Sequence, residues 1–169
     1  MNLVCNISDF DIEKMFFLDI KKNIIIDGTF TKIIYSTSNV IFNGIYLLFP
    51  IIGQSCELNK KNTNVSDTSF GGKYYISTFS ILNKNNINII KELNRIEHSI
   101  IEYAKDYFNI NKINVYSLRN QLKHGNIKIY NSHYDEPDIH PTRESCIIKI
   151  SGIWENDQNI GITYKFLNI

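Results

Sequence analysis

The chain has 169 residues, with 18 lysines and arginines against 17 aspartates and glutamates, a formal net charge of +1 and a pI near 7.7. That length can bury a core without disulfide or metal staples and fits a single domain over residues 1–169. The near-neutral balance excludes a strongly basic or acidic protein, so any nucleic-acid site must be a local patch and not a field of the whole molecule.

Isoleucine, asparagine and lysine are abundant, Ala104 is the only alanine and there are three arginines. This is the codon bias of an AT-rich genome, and much of the isoleucine and lysine usage carries no functional information. Cys5, Cys56 and Cys146 are odd in number and lack metal-ligand spacing, which fits a reducing compartment without structural disulfides. The start, M-N-L-V-C-N-I-S-D-F-D, lacks the basic and long apolar regions of a signal peptide. The longest apolar run, Ile45 to Ile52, is interrupted by Pro50 and is far shorter than the ~18 residues that span a bilayer. A soluble, intracellular protein without membrane contact is expected.

Taken in order, Ser8 to Leu18 reads as a short helix, with Ser8 as N-cap, Asp9 and Asp11 in the first turn, and Ile12, Met15, Phe16 and Leu18 on one side. Asn23 to Ile26, Thr29 to Tyr35 and Val40 to Ile52 read as strands of a meander, with Asp27-Gly28 as a two-residue hairpin turn. From Gln54 to Gly72 the composition turns polar, which predicts a mobile loop over residues 54–72: a flap over a binding groove, or an ordinary solvated insertion. Gly71-Gly72-Lys73 lacks the glycine spacing of a phosphate loop.

Lys73 to Ile81 reads as a strand with tyrosines on both faces. Tyr74 and Tyr75 beside Lys73 fit a base-stacking platform with a phosphate contact, or simply high strand propensity. Asn86 to Phe108 is a long amphipathic helix: Ile89, Ile90, Leu93, Ile96, Ile100, Ala104 and Tyr107 recur at three- and four-residue steps. Asn85 or Asn86 caps its start and Asn109 follows its end. Its polar side mixes charge signs, so its role is structural, and His98 is a solvated face residue. Next come a strand, N-V-Y-S-L, a turn, R-N-Q-L-K-H-G-N, and a second strand, I-K-I-Y. Arg119, Lys123, His124 and Lys128 fall within ten residues with no acid among them, flanked by Tyr116 and Tyr130. Cations interleaved with rings are what a single strand of nucleic acid needs; a solvated basic turn is the plain alternative.

Residues 131–144 form a polar, proline-bearing loop. His133, Asp135, Glu136, Asp138 and His140 lie in it, but no spacing places two histidines on one helical face, and adjacent loop acids are ordinarily just solvated. No nucleophile motif such as G-x-S-x-G occurs, so no catalytic residue, metal or cofactor is assigned.

Ser145 to Leu167 reads as a hairpin around a five-residue turn, Glu155 to Asn159. Pairing Trp154 with Ile160 sets Cys146, Ile148, Ile150 and Trp154 on the same buried face as Ile160, Ile162, Tyr164 and Phe166. The other face then carries Lys149, Ser151, Thr163 and Lys165, with Lys149 directly across from Lys165. Like charges so placed are destabilising unless something anionic lies above or between them.

The β-rich first half, the loop before Gly71-Gly72-Lys73-Tyr74-Tyr75, the single amphipathic helix and the closing I-I-K-I-S-G-I-W-E-N-D-Q-N-I-G-I-T-Y-K-F together resemble the single-stranded-DNA-binding proteins of large DNA viruses, of the poxvirus and insect-virus type. The resemblance covers the second half of the chain and implies an OB-like or partly closed β-barrel and cooperative, sequence-independent coating of single strands at viral replication sites. Acidic tails are frequent in such proteins, whereas this chain ends T-Y-K-F-L-N-I, so tail-mediated recruitment is not carried over. The expected fold is therefore α+β: an antiparallel, OB-like or partly closed barrel sheet packed by one long helix. The expected function is non-enzymatic binding of single-stranded nucleic acid, DNA foremost. Lys73, Arg119, Lys123, Lys128, Lys149 and Lys165 would follow phosphates, with Tyr74, Tyr75, Tyr116 and Trp154 as stacking rings. A homo-oligomer is compatible with this reading. The alternative is a protein–protein or virion module using the same sheet edge.

Overall fold

The structure, a computed structural model, describes residues 4–57, 74–130 and 143–168. Its strands are β1 (Cys5–Asn6), β2 (Met15–Lys22), β3 (Thr29–Ser36), β4 (Ile41–Phe42), β5 (Ile45–Glu57), β6 (Tyr74–Phe79), β7 (Ile113–Val115), β8 (Asn126–Tyr130), β9 (Arg143–Glu155) and β10 (Asn159–Asn168). The helices are α1 (Lys84–Phe108) and α2 (Ser117–Leu122). The strands run β1-β5-β6-β8-β10-β9-β3-β2 in one sheet, with β4 beside β3, β7 beside β10 and a further pairing between β5 and β9. Most pairs are antiparallel; β1–β5, β7–β10 and β8–β10 are parallel. The class is α+β, a mixed but mostly antiparallel sheet with one long helix.

β9 is the axis of the sheet. One edge pairs with β10; the other pairs with β5 from Arg143 to Ile150 and then with β3 from Gly152 to Glu155. Alternation along the strands follows the sequence pattern: Ile45, Leu47, Phe49 and Ile51 of β5, Cys146, Ile148 and Ile150 of β9, and Ile160, Ile162 and Phe166 of β10 are all buried. They meet Leu93, Ile96, Ile100, Ile101 and Ala104 of α1 in one core. Each large apolar side chain buried there contributes roughly 1.5–3 kcal/mol, which is why a single helix suffices to cover the sheet.

α1 begins two residues before the predicted start. Asn83, not Asn85 or Asn86, is the N-cap: its side chain accepts from the Asn85 N–H at 2.9 Å and the Asn86 N–H at 3.5 Å. At the far end Asn109 turns left-handed (φ 53°), as asparagine tolerates, and stops the helix.

Several expectations are corrected. Ser8 to Leu18 is not a helix but two 3₁₀ turns, Ile7–Asp9 and Ile12–Lys14, followed by β2. Its apolar residues fit either period, and the edge of β3 decides: Met15 pairs with Tyr35 and Phe17 with Ile33, so Met15 is buried beside β3. Asn23 to Ile26 is a bend, not a strand. The Asn23 side chain accepts from the Ile25 and Ile26 N–H groups, and its own N–H donates to Gly28 O, which replaces the two-residue turn by a six-residue loop over 23–28. Val40 to Ile52 is divided by Asn43-Gly44, where Gly44 has φ 109°. Gln54 to Glu57 continue β5 instead of opening a loop, while Arg143 and Glu144 already belong to β9; residues 58–73 and 131–142 lie outside the described ones. The strand expected over N-V-Y-S-L ends at Val115, and the basic segment is divided: Arg119 lies in the helix α2, while Lys123, His124 and Gly125 form the turn that leads into β8.

The closing hairpin forms, with a tighter connection than predicted. Asn156 Oδ1 accepts from Gln158 N at 3.0 Å and Asn159 N at 2.7 Å, so Glu155 pairs with Ile160 and Trp154 with Gly161. A bulge then intervenes: Thr163 pairs with Gly152 but Tyr164 with Ile150, which leaves Ser151 as the extra residue. Glu155 ties neighbouring elements to the hairpin end, accepting from Thr29 Oγ1 at 2.9 Å and from Lys112 Nζ at 2.8 Å. Among the described residues, no helix is long and apolar enough to cross a membrane.

Candidate nucleic-acid interface

The buried rows define an inward face of the sheet; the alternate positions define an outward one. On the outward face Lys149 and Lys165 are direct cross-strand partners. The parallel β8–β10 register pairs Phe166 with Ile129, so one step earlier Lys165 lies beside Lys128. On the other edge of β9, Tyr46 pairs with Lys149, and the Lys149 ammonium sits 4.9 Å from the centre of the Tyr46 ring, a cation–π contact. One row therefore runs Tyr46, Lys149, Lys165, Lys128 across four strands. The adjacent row of the same face is apolar: Leu48 pairs with Ile147, and Ile147 with Leu167. By backbone register the lysine row continues from Lys128 to Ile76 of β6 and on to Glu57 of β5.

Trp154 required the largest correction. The predicted pairing with Ile160 set it on the buried face. The extra residue at Ser151 shifts the alternation, so Ile153 takes the core position and Trp154 turns outward, to the face that carries the lysines. Its ring lies over Gly161, where a Cβ would come within 2.8 Å of it, and its Nε1–H donates to Ile162 O at 3.2 Å. Across β3, Phe30 pairs with Trp154 and its ring covers Gly152. Lys165 lies four residue steps along β10 from Gly161, about 13 Å.

Tyr116, Arg119 and Lys123 form a second group. With Asn114, Val115 and Asn120 they line an open groove of about 400 Å³ beside α2. Arg119 and Lys123 are exposed. Tyr116 is half-buried and its hydroxyl is engaged: His98 Nδ1 lies 2.8 Å away and Asn114 Nδ2 donates to it at 2.8 Å. His98 is thus exposed but partnered through Tyr116. Asn114 also donates to Glu102 and accepts from Lys105 Nζ at 3.0 Å. α2 joins β7 to β8, both of which pair with one edge of β10, and it packs against α1, with Leu118 and Leu122 in the core, so the groove lies on the helix side of the sheet and the lysine row on the outward face.

Lys73 lies outside the described residues, as do His133, Asp135, Glu136, Asp138 and His140 of the candidate metal loop. Tyr74 and Tyr75 are in β6, opposite Tyr130 and Ile129 by backbone register, and only their backbone is described. Among the described residues no group of three or more histidine, cysteine, aspartate or glutamate side chains could hold a metal ion.

Three side chains escaped the sequence reading. Tyr46 and Phe30 are outward residues of strands whose inward alternation was legible, so their placement follows once the buried row is known. Glu97 carried no such signal. It has no exposed surface, and its two carboxylate oxygens accept from the Leu118 and Arg119 N–H groups, each at 2.9 Å, which holds the start of α2. Burial pushes the Glu97 carboxyl above the usual carboxylate range, against those two hydrogen bonds. Nearby, Tyr164 donates to Gln121 Oε1 at 2.7 Å, and burial, with a smaller effect from Glu97, raises its phenol to about 12.

The chain matches no protein-family model, no curated protein and no solved structure.

Proposed function

We propose that this protein is a non-enzymatic, sequence-independent binder of single-stranded DNA acting in viral DNA replication. The observation that carries the reading is the direct opposition of Lys149 and Lys165 on the outward sheet face. Two like charges so placed cost stability unless an anion spans them, and a phosphodiester backbone is such an anion. Lys128, on the next strand, extends the row in the same direction. Leu48 and Leu167, half-buried on either side of the buried Ile147, with Tyr46 at the end of the lysine row and Trp154 and Phe30 further along the face, offer surface for bases. Arg119 and Lys123, on the groove beside α2, are a separate cationic group on the side of the sheet that α1 covers, and a strand reaching them would have to pass around the edge at β7 and β8.

The strand pairings support an OB-like, partly closed barrel. From β5 they pass to β6, β8, β10 and β9, and from β9 back to β5. A five-strand circuit of this kind is the architecture on which oligonucleotides are commonly bound.

The test is a fluorescence titration with a labelled dT oligonucleotide about 30 nucleotides long, at low and moderate salt. Tight, salt-sensitive binding that is lost in a folded Lys149→Glu/Lys165→Glu variant is the expected result. Binding that survives the double change removes the site from this face. Absence of binding at low salt overturns the nucleic-acid reading and turns attention to the protein–protein or virion module.

A further inference from the structure

We propose that β2 is a self-association edge, pairing antiparallel with β2 of a second copy of this chain about a two-fold axis perpendicular to the sheet. Among the described residues β2 is the terminal strand of its sheet and pairs only with β3. Edge strands are ordinarily guarded by charge and bulges, because their free N–H and C=O groups invite pairing. β2 has a bulge between Phe17 and Ile20, and it has Asp19, Lys21 and Lys22. Yet it also leaves Phe16 51% and Ile20 50% exposed, and the bend that follows leaves Ile24 97% and Ile25 87% exposed. That concentration of bare apolar side chains on one edge is what a guarded edge lacks and an interface has.

The charges select one register. A two-fold perpendicular to the sheet requires directly opposed residues to share a face, so the pairing must centre on a residue facing its own copy. Centring on Asp19, Lys21 or Lys22 sets like charges opposite one another. Centring on Leu18 sets Phe16, which faces outward beside Ile34, against the partner's Ile20, which faces inward beside Thr31; the bulge has changed the alternation between them. Centring on Ile20 keeps the like charges apart, and from Asp19 to Lys21 the two chains match face for face, the bulge at Leu18 ending the regular pairing on each side. Ile20 packs on the partner's Ile20, Asp19 opposes the partner's Lys21 twice over by symmetry, and the exposed Ile24 bend lies alongside the partner's Phe16. The bulge and the charges that guard the strand against indiscriminate pairing thereby specify one partner, a second copy. The same two-fold keeps the outward faces of both copies on one side, so that Phe30 and Lys32 of the two chains border a continuous sheet surface.

This inference stands independently of the DNA-binding reading and is tested without nucleic acid. Sedimentation equilibrium of the full chain should show a concentration-dependent dimer. Asp19→Lys and Lys21→Asp should each raise the dimer dissociation constant by about tenfold or more, since each places two like-charge pairs at the seam. The double variant Asp19→Lys/Lys21→Asp, which restores opposite charges in reversed order, should recover dimerisation. Circular dichroism and thermal melting establish that each variant is folded. A chain that stays monomeric at every concentration overturns the proposal. So does a dimer indifferent to both single reversals, or a folded double variant that fails to recover.

Discussion

Lys149 and Lys165 face each other across β9 and β10, although the residues between Ser151 and the turn are paired one position out of the predicted step. The tighter turn shifts the register by one, and the extra residue at Ser151 shifts it back. Two departures from the simple hairpin cancel at the lysine pair and leave their mark only on Trp154.

If the lysine row follows phosphates, Lys165→Ala should weaken binding about equally across oligonucleotide sequences. It should also reduce the slope of log K on log salt by roughly 0.7, the value for one phosphate contact on a single strand. Salt titrations on two oligonucleotides of different composition measure both quantities.

Gly161 is required by the Trp154 ring. A Cβ there would lie 2.8 Å and 2.9 Å from ring atoms and 2.9 Å from Val115 O, a backbone atom that cannot move aside. Gly161→Ala should destabilise the fold by about 1–3 kcal/mol through overpacking, read by urea unfolding, and should shift the emission of Trp154, the single tryptophan.

Glu97→Ala leaves the Leu118 and Arg119 N–H groups without acceptors and should cost about 2–4 kcal/mol. The pH dependence has a definite sign. Because burial raises the folded-state value above the ordinary 4.5, the folded protein holds this proton more tightly than the unfolded chain. The Glu97 contribution to stability is therefore fully present below the unfolded value and is lost as pH rises through the folded one. Glu97→Gln should remove that slope from a series of urea melts taken upward from the carboxylate range.

Tyr164 behaves alike at the alkaline end. Its phenol is raised from 10.0 to about 12, so stability is lost as pH rises from the ordinary tyrosine value through about 12. Tyr164→Phe should flatten alkaline unfolding over that window, and the last tyrosinate step in the ultraviolet titration should disappear. The lost hydrogen bond to Gln121 should cost about 0.5–1.5 kcal/mol at neutral pH.

The features legible in the sequence are local ones. The periodicity of α1, its end before Asn109, the strand character of β5 and the facing of Lys149 and Lys165 across the hairpin all depend on residues near one another in the chain, where hydrophobic period and turn chemistry govern the conformation. The tertiary structure decided the rest. The stretch from Ser8 to Leu18 had apolar spacing compatible with a helix, and the available edge of β3 drew its second half into β2. Lys128 joins the lysine row because β8 runs parallel to β10, a pairing across some 37 positions that no local pattern records. Glu97 reads as an ordinary helix residue until α2 sets two backbone donors against it. Trp154 faces outward because one extra residue in β9 reverses the alternation beyond it. In each case the side chain's environment is supplied by a strand or helix remote in the chain, and packing free energy, not propensity, chose among conformations that the local sequence leaves nearly equal.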